Sequence, residues 1–121
     1  MLDKKELDHF NAERERLNDI VFEYAGLPLK RFFSLDGQTY RDDGVLPVKQ
    51  KELIALVASL VLRCDDCVKY HVMQCRKTGL SDEEFSEGSG IAVIVGGSIV
   101  IPHLRRAMEV WDVLKRESDG K

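Results

Sequence analysis

The chain has 121 residues, of which 18 are basic and 21 acidic, and its formal net charge is −3. A chain of this length is expected to form one domain, residues 1–121, whose core needs no disulfide or metal to hold it. The interspersed charges provide no basic surface for nucleic acid or an anionic membrane, and the most apolar stretch, residues 91–101, reaches only about half the length needed to cross a bilayer.

Apolar residues recur at helical spacing from the N-terminus onward. The stretch from Leu7 to Tyr24 predicts a first amphipathic helix, with Asp3 placed to cap it and Glu6 three residues later. The next stretch predicts a short helix followed by a loop, because two Asp-Gly pairs, at 36–37 and 43–44, signal turns.

A third helix is predicted to begin near Pro47, since proline costs nothing in a first helical turn. Residues 51–62 are apolar on nearly every side, which indicates a helix buried by several neighbours. A fourth helix follows from about Asp65 to Thr78 and is stopped by Gly79.

The last third of the chain carries two further helix starts. Ser81 and Glu84 have the spacing of a capping box, which predicts a fifth helix towards Val95. Ser98 is placed to cap the last helix, with Pro102 tolerated in its first turn. No stretch predicts a strand, so the fold class is all-α, with about five to six helices.

Two cysteines and a histidine, Cys64, Cys67 and His71, stand at the start of the fourth helix. The N-terminus lacks the apolar run of a signal peptide, so we expect a cytoplasmic protein with reduced thiols. A CxxC pair in that compartment is more often catalytic or metal-binding than structural. Helical spacing places all three side chains on one stripe and brings the cysteine Cα atoms within the roughly 4.4–6.8 Å that a disulfide requires.

Zinc is the competing interpretation of this motif. Along a helix Cys64 and His71 are separated by roughly 10 Å, too far for two ligands of one ion. A zinc site would need an unwound helix start and a fourth ligand such as His103. We therefore predict no metal and no cofactor. Cys75, which has no partner at disulfide spacing, is expected to be a buried apolar residue.

A redox function requires a thiolate, and the start of a helix lowers the pKa of a thiol. His71 lies one turn after Cys67 and can take its proton. Asp65 and Asp66 oppose this by adding negative charge. Glu52 comes within reach of His71 if the third and fourth helices form an antiparallel hairpin around residue 63; otherwise it is a first-turn glutamate stabilised by the helix dipole.

The combined pattern, Glu52, eleven residues, then Cys64-x-x-Cys67-x-x-x-His71, resembles the AhpD-like (alkylhydroperoxidase D-like) branch of the carboxymuconolactone decarboxylase family. The resemblance covers about residues 47–112, including the preceding PVKQKELIALVASLV. It implies a compact helical domain with the CxxC at the start of a central helix, assembled as a homotrimer or homohexamer.

The resemblance also implies an enzyme, a peroxiredoxin-type peroxidase that reduces hydroperoxides. Cys67 would attack the peroxide and Cys64 would close the disulfide, with Glu52 and His71 as the proton relay. A lipoyl-like or thioredoxin-like dithiol would reopen the disulfide at the more exposed sulfur, assigned to Cys64. Asp66 stands where the family's peroxidases often have a histidine, so a non-peroxidatic thiol–disulfide exchanger or redox sensor stays open, as do a decarboxylase-like enzyme and a structural or ligand-binding oligomer with a vestigial motif.

Overall fold

A computed structural model describes residues 1–119 of the chain. These residues form six α-helices and one short 3₁₀ helix, without a strand, which confirms the all-α prediction. The chain divides into two compact units, Met1–Asp43 and a second that begins at Gly44. The assignment of residues 1–121 to one domain stays a prediction.

The first unit consists of helix α1, Lys4–Tyr24, and helix α2, Leu27–Thr39. Asp3 caps α1 by accepting a hydrogen bond from the Glu6 N–H at 2.9 Å, as its position predicts. Phe22 of α1 packs edge-on against Phe33 of α2, with ring centroids 4.9 Å apart.

Helix α2 extends further than the sequence predicts. The Asp36-Gly37 pair, expected to form a turn, lies inside α2, so that prediction is wrong. A single glycine costs a helix only about 1 kcal/mol, which neighbouring turns can offset. The chain leaves the helix at Tyr40, and the second Asp-Gly pair, at 43–44, does lie in the loop that follows.

The second unit contains helices α3, Val48–Leu62, α4, Asp65–Lys77, α5, Asp82–Gly96, and α6, Ile101–Ser118, with the 3₁₀ helix Ser98–Val100 before α6. Helix α4 contacts both α3 and α6, and α3 also contacts α5. The motif-bearing helix is therefore central to this unit. The core between these helices is apolar and fully buried; it includes Leu56, Leu60, Val72, Ala92, Val100 and Ala107.

Local capping explains one helix start in this unit and corrects another. Ser81 and Glu84 form the predicted capping box at the start of α5, with both reciprocal hydrogen bonds present. Ser98 does not cap α6 through its side chain, contrary to prediction, because the chain first makes a 3₁₀ turn after Gly97. Over residues 1–119, no helix combines the length and apolarity needed to span a membrane.

Candidate active site at the start of helix α4

A tight reversal between α3 and α4 creates the site. Arg63 ends α3 in the left-handed conformation, with φ 60°, and the Cys64 N–H donates back to the Ser59 carbonyl at 3.2 Å. This conformation costs a non-glycine residue about 1 kcal/mol or more. The reversal makes α3 and α4 the antiparallel hairpin around residue 63 that the sequence suggested.

The two cysteines flank the first turn of α4. Cys64 is the N-cap, in extended conformation, and its Sγ accepts a hydrogen bond from the Cys67 N–H at 3.3 Å. The structure holds the pair as a disulfide, with Cα atoms 5.2 Å apart, inside the predicted range. The CxxC thus stands at a helix N-terminus, where unpaired N–H groups and the helix dipole favour a thiolate.

The relative exposure of the two cysteines differs from expectation. Cys67 is exposed and Cys64 is only partly exposed in the single chain, so the prediction that Cys64 is the more accessible residue is wrong. The cause is the hairpin: Cys64 is covered at the chain reversal, whereas Cys67 lies on an open side of the first turn.

Behind the cysteines lies a buried acid–histidine pair. The Glu52 side chain of α3 is almost fully buried, and its Oε1 lies 2.7 Å from Nδ1 of His71. An ionised carboxylate can only accept, so Nδ1 carries the shared proton and Nε2 remains the acceptor nitrogen. Because His71 follows Cys67 by one helical turn, that nitrogen is on the cysteine face of α4.

Sequence comparison places these residues in a known family. The model of the carboxymuconolactone decarboxylase family matches residues 28–110, a range that includes both cysteines, Glu52 and His71. The chain belongs to the carboxymuconolactone decarboxylase family. The matched range begins earlier than the resemblance seen in the sequence, inside α2.

Solved structures of family members share this architecture. Two crystal structures of one Thermotoga maritima protein are 50% and 52% identical to the chain, with TM-scores of 0.89 and 0.86; each covers 93% of this chain, and the chain covers 98% and 95% of them. That protein is described as a carboxymuconolactone decarboxylase family member for which involvement in antioxidative response is suggested. A family protein of Legionella pneumophila, in its apo form, is 27% identical, with a TM-score of 0.76, over 92% of this chain and 98% of that one.

Two curated relatives are similar over shorter stretches. An uncharacterized protein of Cupriavidus necator is 33% identical over 72 residues, 60% of this chain and 64% of that protein. Uncharacterized protein 4 in the cox locus of Paracoccus denitrificans is 31% identical over 78 residues, 64% of this chain and 67% of that protein. The chain thus spans just under two thirds of the first relative.

The third cysteine of this family member is separate from the redox pair. Cys75 is a free thiol, fully buried, two turns along α4 from Cys67. Burial raises its pKa to about 12, and the negative charge of Glu52 acts in the same direction. Cys75 therefore stays protonated at neutral pH, in agreement with its expected role as a buried apolar residue.

A charged cluster that sequence reasoning missed lies beside the CxxC. His103 Nδ1 of α6 is 2.7 Å from Oδ1 of Asp65, and Nη2 of Arg106 is 3.1 Å from Oδ2 of the same carboxylate. The hydrogen bond to His103, then that to Arg106, lowers the pKa of Asp65. The interpretation of Arg106 as part of a solvated face is wrong, because it forms an ion pair with α4.

This pairing bears on the two alternatives weighed from sequence. His103, considered as a fourth zinc ligand, is instead hydrogen-bonded to Asp65. Over the described residues, no group of three or more His, Cys, Asp and Glu side chains is arranged to hold a metal ion. Asp66, directly before Cys67, is exposed. Only one of the two aspartates in the motif is thus held by α6.

Proposed function

We propose that this protein is a thiol-dependent peroxidase of the AhpD-like branch, which reduces hydroperoxides through a Cys64–Cys67 dithiol/disulfide cycle. The observation that carries the proposal is the CxxC at the N-terminus of α4 on the same helix face as the buried Glu52–His71 pair. A nucleophile, a base and a group orienting that base are the parts that activated-thiol chemistry needs. The suggested antioxidative role of the Thermotoga maritima relative supports the same reading.

The proposed cycle begins with the Cys67 thiolate. His71, oriented by Glu52, accepts the thiol proton; the thiolate sulfur then attacks the terminal peroxide oxygen and the O–O bond breaks. Cys67 becomes a sulfenic acid, and the departing alkoxide takes up the proton to leave as an alcohol. Cys64 attacks the sulfenic sulfur, which closes the disulfide and releases water.

A dithiol returns the enzyme to its reduced form. One thiolate of a lipoyl-like or thioredoxin-like donor attacks the disulfide, and its second thiol completes the exchange, so the donor leaves as a disulfide. The exposure of Cys67 in the single chain offers that residue for the first attack. Such a donor is maintained in a reducing compartment, so we place the protein in the cytoplasm.

The proposal is tested by peroxide consumption with dihydrolipoamide as the reductant. We expect turnover by the wild type, loss of turnover in Cys67→Ser, and retention in Cys75→Ala, the matched control for a thiol outside the pair. Cys64→Ser should stop after one equivalent of peroxide, with Cys67 trapped as sulfenic acid. Absence of turnover in the wild type, or full turnover in Cys67→Ser, contradicts the peroxidase proposal.

A second candidate is favoured by the exposed Cys67 and by Asp66 at the position of a relay histidine. Such a site would exchange thiols and disulfides without consuming peroxide, or would act as a redox sensor. The two functions separate when the same preparation is given a disulfide substrate, such as oxidised lipoamide. Exchange without peroxide turnover identifies the thiol–disulfide exchanger.

We further propose that the chain assembles as a homotrimer or homohexamer. In the single chain, large apolar side chains remain exposed in both compact units; they include Phe32, Leu35, Leu62, Ile94 and Val95. Apolar exposure of this extent is typical of subunit interfaces. Light scattering at micromolar concentration measures the mass directly, and a monomer would contradict the proposal.

A further inference from the structure

The cluster formed by Asp65, His103 and Arg106 joins the first turn of α4 to the first turns of α6. Asp65 follows Cys64 directly and precedes Cys67 by two residues, so its carboxylate belongs to the same turn as both thiols. Two side chains from 38 and 41 positions later in the chain contact its two oxygens separately, at 2.7 Å and 3.1 Å. The carboxylate is therefore held on the α6 side of the turn.

This location matters because a negative charge close to a thiol disfavours the thiolate. A carboxylate one residue from Cys64 would offset the benefit of the helix N-terminus. The two α6 side chains change that balance in two ways. They keep the carboxylate turned towards α6, and Arg106 adds a positive charge that cancels it at a distance.

We propose that His103 and Arg106 are positioning residues that hold and neutralise Asp65, and so preserve the thiolate character of the reduced Cys64–Cys67 pair. The proposal rests on the proposed thiol chemistry for its purpose. Asp66, exposed and outside this cluster, leaves the motif with one aspartate that is compensated and one that is not.

Other charged groups act on the same turn and are held constant in the test. The titratable and charged side chains carried by α3, α4 and α6 at or near this end of the unit are Glu52, Arg63, Asp65, Asp66, Lys69, His71, His103, Arg105 and Arg106.

The experiment measures the thiol pKa of each cysteine in the reduced full-length protein. Iodoacetamide rates are recorded against pH, and the alkylated peptides are resolved by mass. In Arg106→Gln we expect the lower of the two values to rise by about half a unit to one unit, the size of one nearby unit charge in a partly aqueous setting. The thiolate fraction at neutral pH would then fall roughly three- to tenfold.

Two comparisons separate positioning from a general charge effect. Arg105→Gln removes the same charge from the neighbouring position of α6 and should leave the thiol pKa near its wild-type value. In an Asp65→Asn background, the Arg106→Gln shift should largely disappear, because no carboxylate remains to be released. An unchanged pKa in Arg106→Gln, or an equal shift with Asn at position 65, overturns the proposal.

His103→Gln provides an independent arm should Arg106→Gln fail to fold, as judged by circular dichroism. It should raise the same thiol pKa, and it too should lose its effect when Asp65→Asn is present. Alkylation requires no peroxide turnover. A protein that lacks peroxidase activity but shows these shifts disproves only the proposed function, and active protein without them disproves only the positioning.

Discussion

Raising the pH tests the environment that the fold gives to Cys75. Burial raises the pKa of this thiol from its ordinary 9.0 to about 12. The unfolded chain therefore loses the proton near its ordinary pKa, whereas the folded chain keeps it until the pH approaches the raised value. Between those limits the unfolded state binds fewer protons, so the free energy of unfolding falls by about 1.4 kcal/mol for each pH unit.

Urea denaturation of the wild type and Cys75→Ala, at pH 10 and pH 11 with reductant present, measures this contribution. Lysines, tyrosines and the other two thiols titrate in both proteins, so the difference between the two pH dependences isolates Cys75. We expect the wild type to lose about 1 kcal/mol more than the variant over that interval. Equal losses in the two proteins would refute the assignment of a raised pKa to Cys75.

Three further predictions follow from named contacts. Glu52→Gln keeps the side-chain shape but removes the orienting charge, and should lower peroxide turnover with dihydrolipoamide by about 10²- to 10⁴-fold; undiminished turnover would exclude the relay. Gly96→Ala places a methyl group 2.5 Å from the buried Val100 Cγ2 and should lower the free energy of unfolding by about 1–3 kcal/mol, whereas Gly90→Ala, with open space around it, should raise it by about 1 kcal/mol; urea titrations in which Gly96→Ala is the more stable would contradict this. Ser81→Ala removes the α5 cap and should cost about 1 kcal/mol, measured in the same titration, where no change would refute its importance.

Most helix starts were predictable because their causes are local. Asp3 and Ser81 cap helices through hydrogen bonds to residues three positions away, and such short-range signals are visible in sequence. The stripe of Cys64, Cys67 and His71 follows from helical spacing alone. The Glu52–His71 contact was predictable only as a possibility, since it required the hairpin, and the hairpin depends on a left-handed Arg63 that no residue preference signals.

By itself, the sequence determined the all-helical class, the CxxC at a helix start and the four residues of the candidate site, because each follows from spacing within a helix or from a family pattern. Tertiary structure decided that Asp65 is compensated by His103 and Arg106, that Cys67 is more exposed than Cys64, and that the Asp36-Gly37 pair stays helical. These outcomes depend on which helices meet and on how neighbouring turns offset a local preference. A side chain's electrostatic surroundings are set by residues distant in the chain, and a single sequence carries no measure of that proximity.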